Sequence, residues 1–275
     1  MRATKITILL VLALSMSACS MFRSKKETID TMPVDRLYAT AHDSLEHSDY
    51  AAAEKAYERL IARFPSGDIN EQSQIELAYA QYKDNKPDDA YSTINRFIKT
   101  FPTHKHADYA YYLRGLINFD RTGGLIERYL QRGNSASTRR DQGFNLTAFD
   151  DFSQLTRRYP NSAYATDARQ RMIFLRNQLA RFEVNVAEYY LRTKAYIASA
   201  DRAQYVVEHY QQSPETADAL AILTRSYIAL DRKPLADQTR QVLALNYPDH
   251  PYLTDPNWPH HPSIWRKAIP FSGHH

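Results

Sequence analysis

Residues Ala90–Pro102 read AYSTINRFIKTFP, and the same arrangement recurs four more times along the chain. It returns as AEKAYERLIARFP at 53–65, AFDDFSQLTRRYP at 148–160, SADRAQYVVEHYQ at 199–211 and ADQTRQVLALNYP at 236–248. Each copy closes on an aromatic: Phe64, Phe101, Tyr159, Tyr210 and Tyr247, at spacings of 37, 58, 51 and 37 residues. All but Tyr210 are followed by proline, which cannot continue a helix. Five residues before that proline position stand Leu60, Phe97, Leu155, Val206 and Leu243; twelve before it stand Ala53, Ala90, Ala148, Ser199 and Ala236. The small residue and the large apolar one lie two helical turns apart on one face, where the small side chain lets a neighbouring helix approach. A near-fixed period of this size predicts stacked supersecondary units.

The register matches the second helix of a tetratricopeptide unit. The first helices match less regularly, with Leu220, Leu223 and Tyr227 in the last unit and Leu77 and Ala78 in the second. Arg240 stands where the pattern places an aromatic. The fold class expected is all-α, a helical-repeat solenoid of about five helix pairs. Only 7 glycines in 275 residues agree with this. Ten helices are expected, at 34–47, 50–63, 69–83, 87–100, 105–119, 144–158, 163–192, 195–210, 214–229 and 233–246. The third unit is longer than the others, and the excess falls in a glycine- and arginine-containing loop at 120–143. The helix from 163 carries Ala168, Met172, Leu175, Leu179, Phe182, Val186 and Tyr189 at alternating steps of four and three, one continuous stripe. At ~1.5 Å per residue it would be about 45 Å long.

The amino terminus is of a different kind. Arg2 and Lys5 precede an apolar run from Ile6 to Leu14, and Met16-Ser17-Ala18 then leads to Cys19, the sole cysteine. This reads as a secretory signal over 1–18, too short for a stable membrane span. The small residues before Cys19 resemble a bacterial lipobox, which implies N-acyl and S-diacylglycerol chains on Cys19. Residues 19–33 then form a lipidated tether, 34–160 the first three units, 161–248 the last two, and 249–275 an irregular proline-rich tail. The tail aromatics Trp258, Trp265 and Phe271 either fold back on the last helix or dock on a partner.

Without residues 1–18 the chain carries 33 basic and 31 acidic side chains, with no long run of one sign. No nucleic-acid footprint is expected. With Cys19 acylated, no thiol remains for a disulfide, a metal site or a nucleophile. His260-His261 and His274-His275 lie in the tail with no carboxylate at ligand spacing. Asp88-Asp89 and Asp150-Asp151 are adjacent on helices and point about 100° apart, so neither is a catalytic pair. No metal, cofactor or catalytic residue is assigned.

Tyr79, Tyr82, Tyr109, Tyr111 and Tyr112 fall on the first helices of units two and three. Those helices line the concave side of tetratricopeptide arrays, where a tyrosine offers an apolar body and a polar tip to an extended peptide. Tyr79, Tyr82, Tyr109, Tyr112 and Arg114 are the expected client-peptide groove.

Tyr111-Tyr112-Leu113-Arg114-Gly115-Leu116, then Phe149-Asp150-Asp151-Phe152-Ser153, Tyr159-Pro160-Asn161-Ser162 and Val186-Ala187-Glu188-Tyr189-Tyr190, together with the lipobox, resemble the BamD (ComL) family of outer-membrane assembly lipoproteins. The resemblance covers nearly the whole mature chain to about residue 248. It implies a non-enzymatic scaffold, lipid-anchored at the periplasmic face of the outer membrane. The partners it implies are the POTRA domains of BamA, accessory Bam lipoproteins and unfolded outer-membrane proteins. Arg202 matches the family's arginine that contacts an acidic POTRA residue. Two other readings stay open: a peptidoglycan-associated or cell-division scaffold, and an enzyme with an anion held by Arg128, Arg132, Arg139 and Arg140.

Overall fold

The computed structural model describes residues 29–121, 139–255 and 258–259, with the backbone alone at 139–141. Among them are ten α-helices: α1 Val34–Glu46, α2 Tyr50–Arg63, α3 Asp68–Lys83, α4 Pro87–Thr100, α5 Ala107–Asp120, α6 Arg139–Arg158, α7 Ala165–Arg192, α8 Tyr196–His209, α9 Thr216–Ala229 and α10 Lys233–Asn246. The chain divides into two compact units, residues 1–113 and 114–275, with the boundary inside α5. In the first, α1, α2 and α3 each pack on the next helix, and α1 also touches α3. In the second, α6, α7, α8 and α9 do the same, and α7 touches α9. Contact between first helices of successive hairpins is the stacking of a helical-repeat solenoid.

The repeat register governs the interior. Ala53, Ala90, Ala148 and Ser199 are fully buried, as are Leu60, Phe97, Leu155, Val206 and Leu243. The closing aromatic is the C-cap of each second helix. The N–H groups of Phe64, Phe101, Tyr159, Tyr210 and Tyr247 donate to the carbonyls of those same five apolar residues at 2.8–2.9 Å. Tyr210 has ψ 35°, against 79°, 61° and 64° at Phe64, Phe101 and Tyr247. A following proline forbids the more helical value, and Tyr210 alone lacks one.

Turns within hairpins share a second device. Ser48, Asn85, Lys194 and Asp231 all have φ between 54° and 63°. In each turn the next residue's N–H reaches the carbonyl five back, as in Asp49 to Ser44 and Ala195 to Tyr190. This is the left-handed helix stop that satisfies the last carbonyls.

Two expectations change. α6 begins at Arg139 rather than 144, because Gly143 is tolerated inside the helix with open space around its Cα. Residues 122–138 of the 120–143 segment, with Arg128 and Arg132, lie outside the described residues, as do Cys19, the signal segment and the tail beyond Pro259. The α7 stripe is not continuous. Ala165, Ala168, Leu175 and Leu179 are buried, but burial then passes to Ala180, Val184 and Ala187, and Tyr189 is 53% exposed. The first half of α7 packs on α6, where Met172 meets Thr156, and the second half on α8, where Ser199 Oγ donates to the Ala187 carbonyl at 2.9 Å. Two partners on different sides demand two faces.

The tail turns back. A 3-10 turn at Pro251–Leu253 places Tyr252 against Trp258, ring centroids 5.9 Å apart, and Arg225 of α9 donates to the Trp258 carbonyl. Both aromatics join the core around α9.

Candidate functional site

The first unit holds a polar cleft of about 620 Å³ lined by Tyr38 of α1, Asp68, Ile69, Glu71 and Gln72 of α3, and His104, Lys105 and His106 of the turn into α5. Its position follows from the junction: α4 stops before Pro102, and the turn residues that follow lie against the start of α3. Carboxylates face imidazoles there, with His104 Nε2 3.8 Å from Glu71 Oε2. Burial holds the His104 imidazole below its ordinary value, against the pull of Glu71.

One turn further along α3, Glu76 anchors the wall. It accepts from Tyr38 Oη at 2.9 Å, Tyr57 Oη at 2.6 Å and Gln72 Nε2 at 2.9 Å. Burial, with the Glu76 carboxylate alongside, pushes the Tyr38 and Tyr57 phenols well above the usual range. Both therefore stay neutral donors at any physiological pH. The cleft thus presents fixed donors and acceptors of both signs. That suits the main chain and charged side chains of an extended peptide. Among the described residues, no group of three or more His, Cys, Asp or Glu side chains could hold a metal ion.

The tyrosines expected to form the groove lie elsewhere. Tyr79 and Tyr82 are half-buried neighbours on α3, ring centroids 6.4 Å apart. Tyr109 and Tyr112 are half-buried on α5, and Tyr111 is buried. None of them lines the cleft. Arg114 is corrected outright: it is 8% exposed, and its Nη2 sits 2.6 Å from Asp151 Oδ1. Asn118 Nδ2 donates to the other Asp151 oxygen at 3.0 Å. Burial raises Asp151 to about 6 in spite of both partners. Arg114 belongs to the interior of the third hairpin and is not available to a peptide.

In the second unit Arg202 is exposed on α8, and its Nη1 donates to Glu183 of α7 at 2.9 Å. Ile197, Asp201 and Tyr205 repeat every four residues beside it, with Ile197 67% and Tyr205 41% exposed. This face couples apolar area to one arginine and one aspartate. Sequence reasoning named Arg202 but missed Ile197 and Tyr205, although their spacing marks one helix face. It also missed the cleft, whose residues fall in an inter-unit turn where helical periodicity carries no signal.

The family model described as YfiO, outer membrane lipoprotein, matches residues 30–243. The chain is 47% identical over 250 residues to the outer membrane protein assembly factor BamD of Xylella fastidiosa, covering 91% of this chain and 84% of that one. BamD of Neisseria meningitidis serogroup B is 40% identical over 259 residues, covering 92% and 94%. BamD of Vibrio cholerae is 33% identical over 237 residues, covering 86% and 96%. Through this match over most of its length, the chain belongs to the YfiO family of outer membrane lipoproteins.

Proposed function

We propose that this protein is a scaffold lipoprotein of outer-membrane β-barrel protein assembly, with Cys19 acylated and the helical array held at the periplasmic face of the membrane. The observation that carries this reading is identity of 33–47% to BamD assembly factors over most of each chain. Two surfaces divide the work. The cleft of the first unit receives an unfolded outer-membrane protein, whose extended segment meets Tyr38, Glu71, Gln72 and Lys105. The α8 face around Arg202 docks the POTRA domains of BamA, and accessory Bam lipoproteins bind the same unit.

The division of labour has a physical basis. An extended client offers unpaired main-chain groups, which a polar cleft can satisfy. A folded POTRA domain offers a surface, which an exposed apolar face with a central arginine fits. An arginine can grip a carboxylate with two parallel bonds where lysine cannot. No step of the reading requires bond making or breaking by this chain.

The test is co-isolation of the tagged lipoprotein in mild detergent. A barrel protein with periplasmic repeat domains, recovered in equal amount, is the expected result. Cell-wall or division proteins in its place would overturn the assembly role. The Cys19→Ala variant tests the anchor: it is expected in the soluble periplasmic fraction, and its recovery in carbonate-washed outer membranes would refute acylation.

A further inference from the structure

Five junctions close the five hairpins, and the last four share one plan in which one position varies in chemistry. The third residue after the closing aromatic is Gly67, His104, Ser162, Ser213 or His250. In the last four its N–H bonds the aromatic's carbonyl, and its own carbonyl accepts from the residue three further on. The side chain then accepts the N–H two residues ahead. Ser162 Oγ takes Tyr164 N–H at 3.2 Å, and Ser213 Oγ takes Glu215 N–H at 3.3 Å. His104 Nδ1 takes His106 N–H at 3.1 Å, and His250 Nδ1 takes Tyr252 N–H at 3.2 Å. The same cap is therefore built from a hydroxyl twice and from an imidazole twice.

The two chemistries differ in one respect. A hydroxyl accepts at every pH. An imidazole accepts through Nδ1 only while that nitrogen is unprotonated. Because a backbone N–H must donate, both rings are fixed as the Nε2–H tautomer. Nε2–H then points at a carboxylate, 2.9 Å from Asp218 Oδ1 for His250 and 3.8 Å from Glu71 Oε2 for His104. A second proton would set N–H against N–H and abolish the cap.

Each ring is also a wall. The side chain of His104 is 8% exposed and meets Phe97 of α4 edge-on, centroids 5.2 Å apart, while lining the cleft. The side chain of His250 is 7% exposed and meets Trp258 at 5.0 Å, holding the returned tail. We propose that the His104 and His250 junctions are proton-sensitive hinges, acid loosening the cleft wall and the tail clasp while the Ser162 and Ser213 junctions hold. The facing charges do not cancel this. Glu71 and Asp68 of α3 favour the cation at His104, and His106 and Lys105 on its own turn oppose it, with burial on their side. At His250 the facing carboxylate is Asp218, itself in electrostatic contact with Glu188 of α7, while Arg225 of α9 donates to the Trp258 carbonyl. In both cases protonation removes the acceptor that the turn uses. A consequence for client release rests on the cleft reading above; the hinges themselves do not.

The experiment is amide hydrogen exchange on the full chain, with protection at residues 106, 164, 215 and 252 corrected for intrinsic rate. Between about pH 7.5 and about pH 5.5, protection at 106 and 252 is expected to fall about fivefold or more, the scale of losing one cap, with 164 and 215 unchanged. His104→Ser and His250→Ser restore the sister junctions' chemistry and should each abolish the fall at its own site. Equal changes at all four amides of the parent, or a fall that persists in the serine variants, would overturn the proposal. Client binding that stays unchanged while protection at 106 falls would sink only the cleft reading.

Discussion

Arg114 and Asp151 meet inside the third hairpin, where neither charge has water to fall back on. Removing one partner of such a pair costs about 3–5 kcal/mol, because the other stays buried and unpaired. Asp151 titrates at about 6 in the fold, above its ordinary 3.8, so its contribution to stability is full below 3.8 and gone once the pH has risen past about 6. Arg114→Leu removes the cation that pulls this value down and so raises it further. The variant is expected to lose about 3–5 kcal/mol at neutral pH and distinctly less near pH 4, read from urea unfolding at both. An equal loss at both would mean that Asp151 stays ionised throughout. The burial was legible in part: Ala110, Arg114 and Ile117 share one helix face, and all three are buried. The partner was not, since Asp151 lies 37 residues away on another helix. Arg202 is the opposite case. Its exposed pair with Glu183 is worth only ~0–1 kcal/mol, so Arg202→Glu should leave the melting temperature within a few degrees. BamA co-isolation should nevertheless drop severalfold. Undiminished recovery of BamA would remove Arg202 from the docking surface.

At the scale of elements, the turn between α7 and α8 is the informative one. Asn85 and Asp231 are residues that tolerate the left-handed region; Lys194 has a Cβ there and no side-chain compensation of that kind. That is also why the sequence signalled this stop weakly, with no glycine or proline between Asn161 and Ser213. The backbone dictates the stop through the bonds from Lys194 and Ala195 to Leu191 and Tyr190, which no single residue type announces. Lys194→Gly should therefore raise stability by about 1 kcal/mol, seen as a later denaturant midpoint with unchanged slope. A destabilised variant would show that the lost entropy of glycine outweighs the relieved strain. Second helices are legible in the sequence because each buries the face that carries the repeat register, so period and burial coincide. α7 was read with one stripe because a heptad count assumes one partner. Its seven-residue steps hold on α6 and fail on α8. Close helix approach shows the same limit. At Gly115 the Phe152 ring packs so closely that an added Cβ would stand 2.6 Å from it and clash, and only the fold reveals what the small residue faces.

A stack of hairpins has two open ends, and terminal faces need covers. At the amino end, Ile29, Met32 and Val34 pack on the α1–α2 core. Arg63 donates to the Ile29 and Met32 carbonyls at 3.1 and 2.8 Å, and Arg59 pairs with Asp30 at 2.7 Å. Residues 29–33 are thus a docked strap rather than a free tether. At the carboxy end, Tyr247 to Leu253 repeat the opening of a new unit, and Tyr252 and Trp258 then lie where its first helix would start. Both options for the tail aromatics were open in the sequence; Trp258 folds back. Because hairpins in an array contact only their neighbours, damage at one end should stay local. Trp258→Ala deletes a large, almost fully buried ring and should cost about 3–5 kcal/mol at the carboxy end. Hydrogen exchange should rise in α9 and α10, fade through α8 and α7, and leave α1 and α2 as in the parent. A uniform rise from α6 to α10 would mean that the second unit unfolds as one cooperative block, and the cover would then stabilise the whole unit rather than its last hairpin.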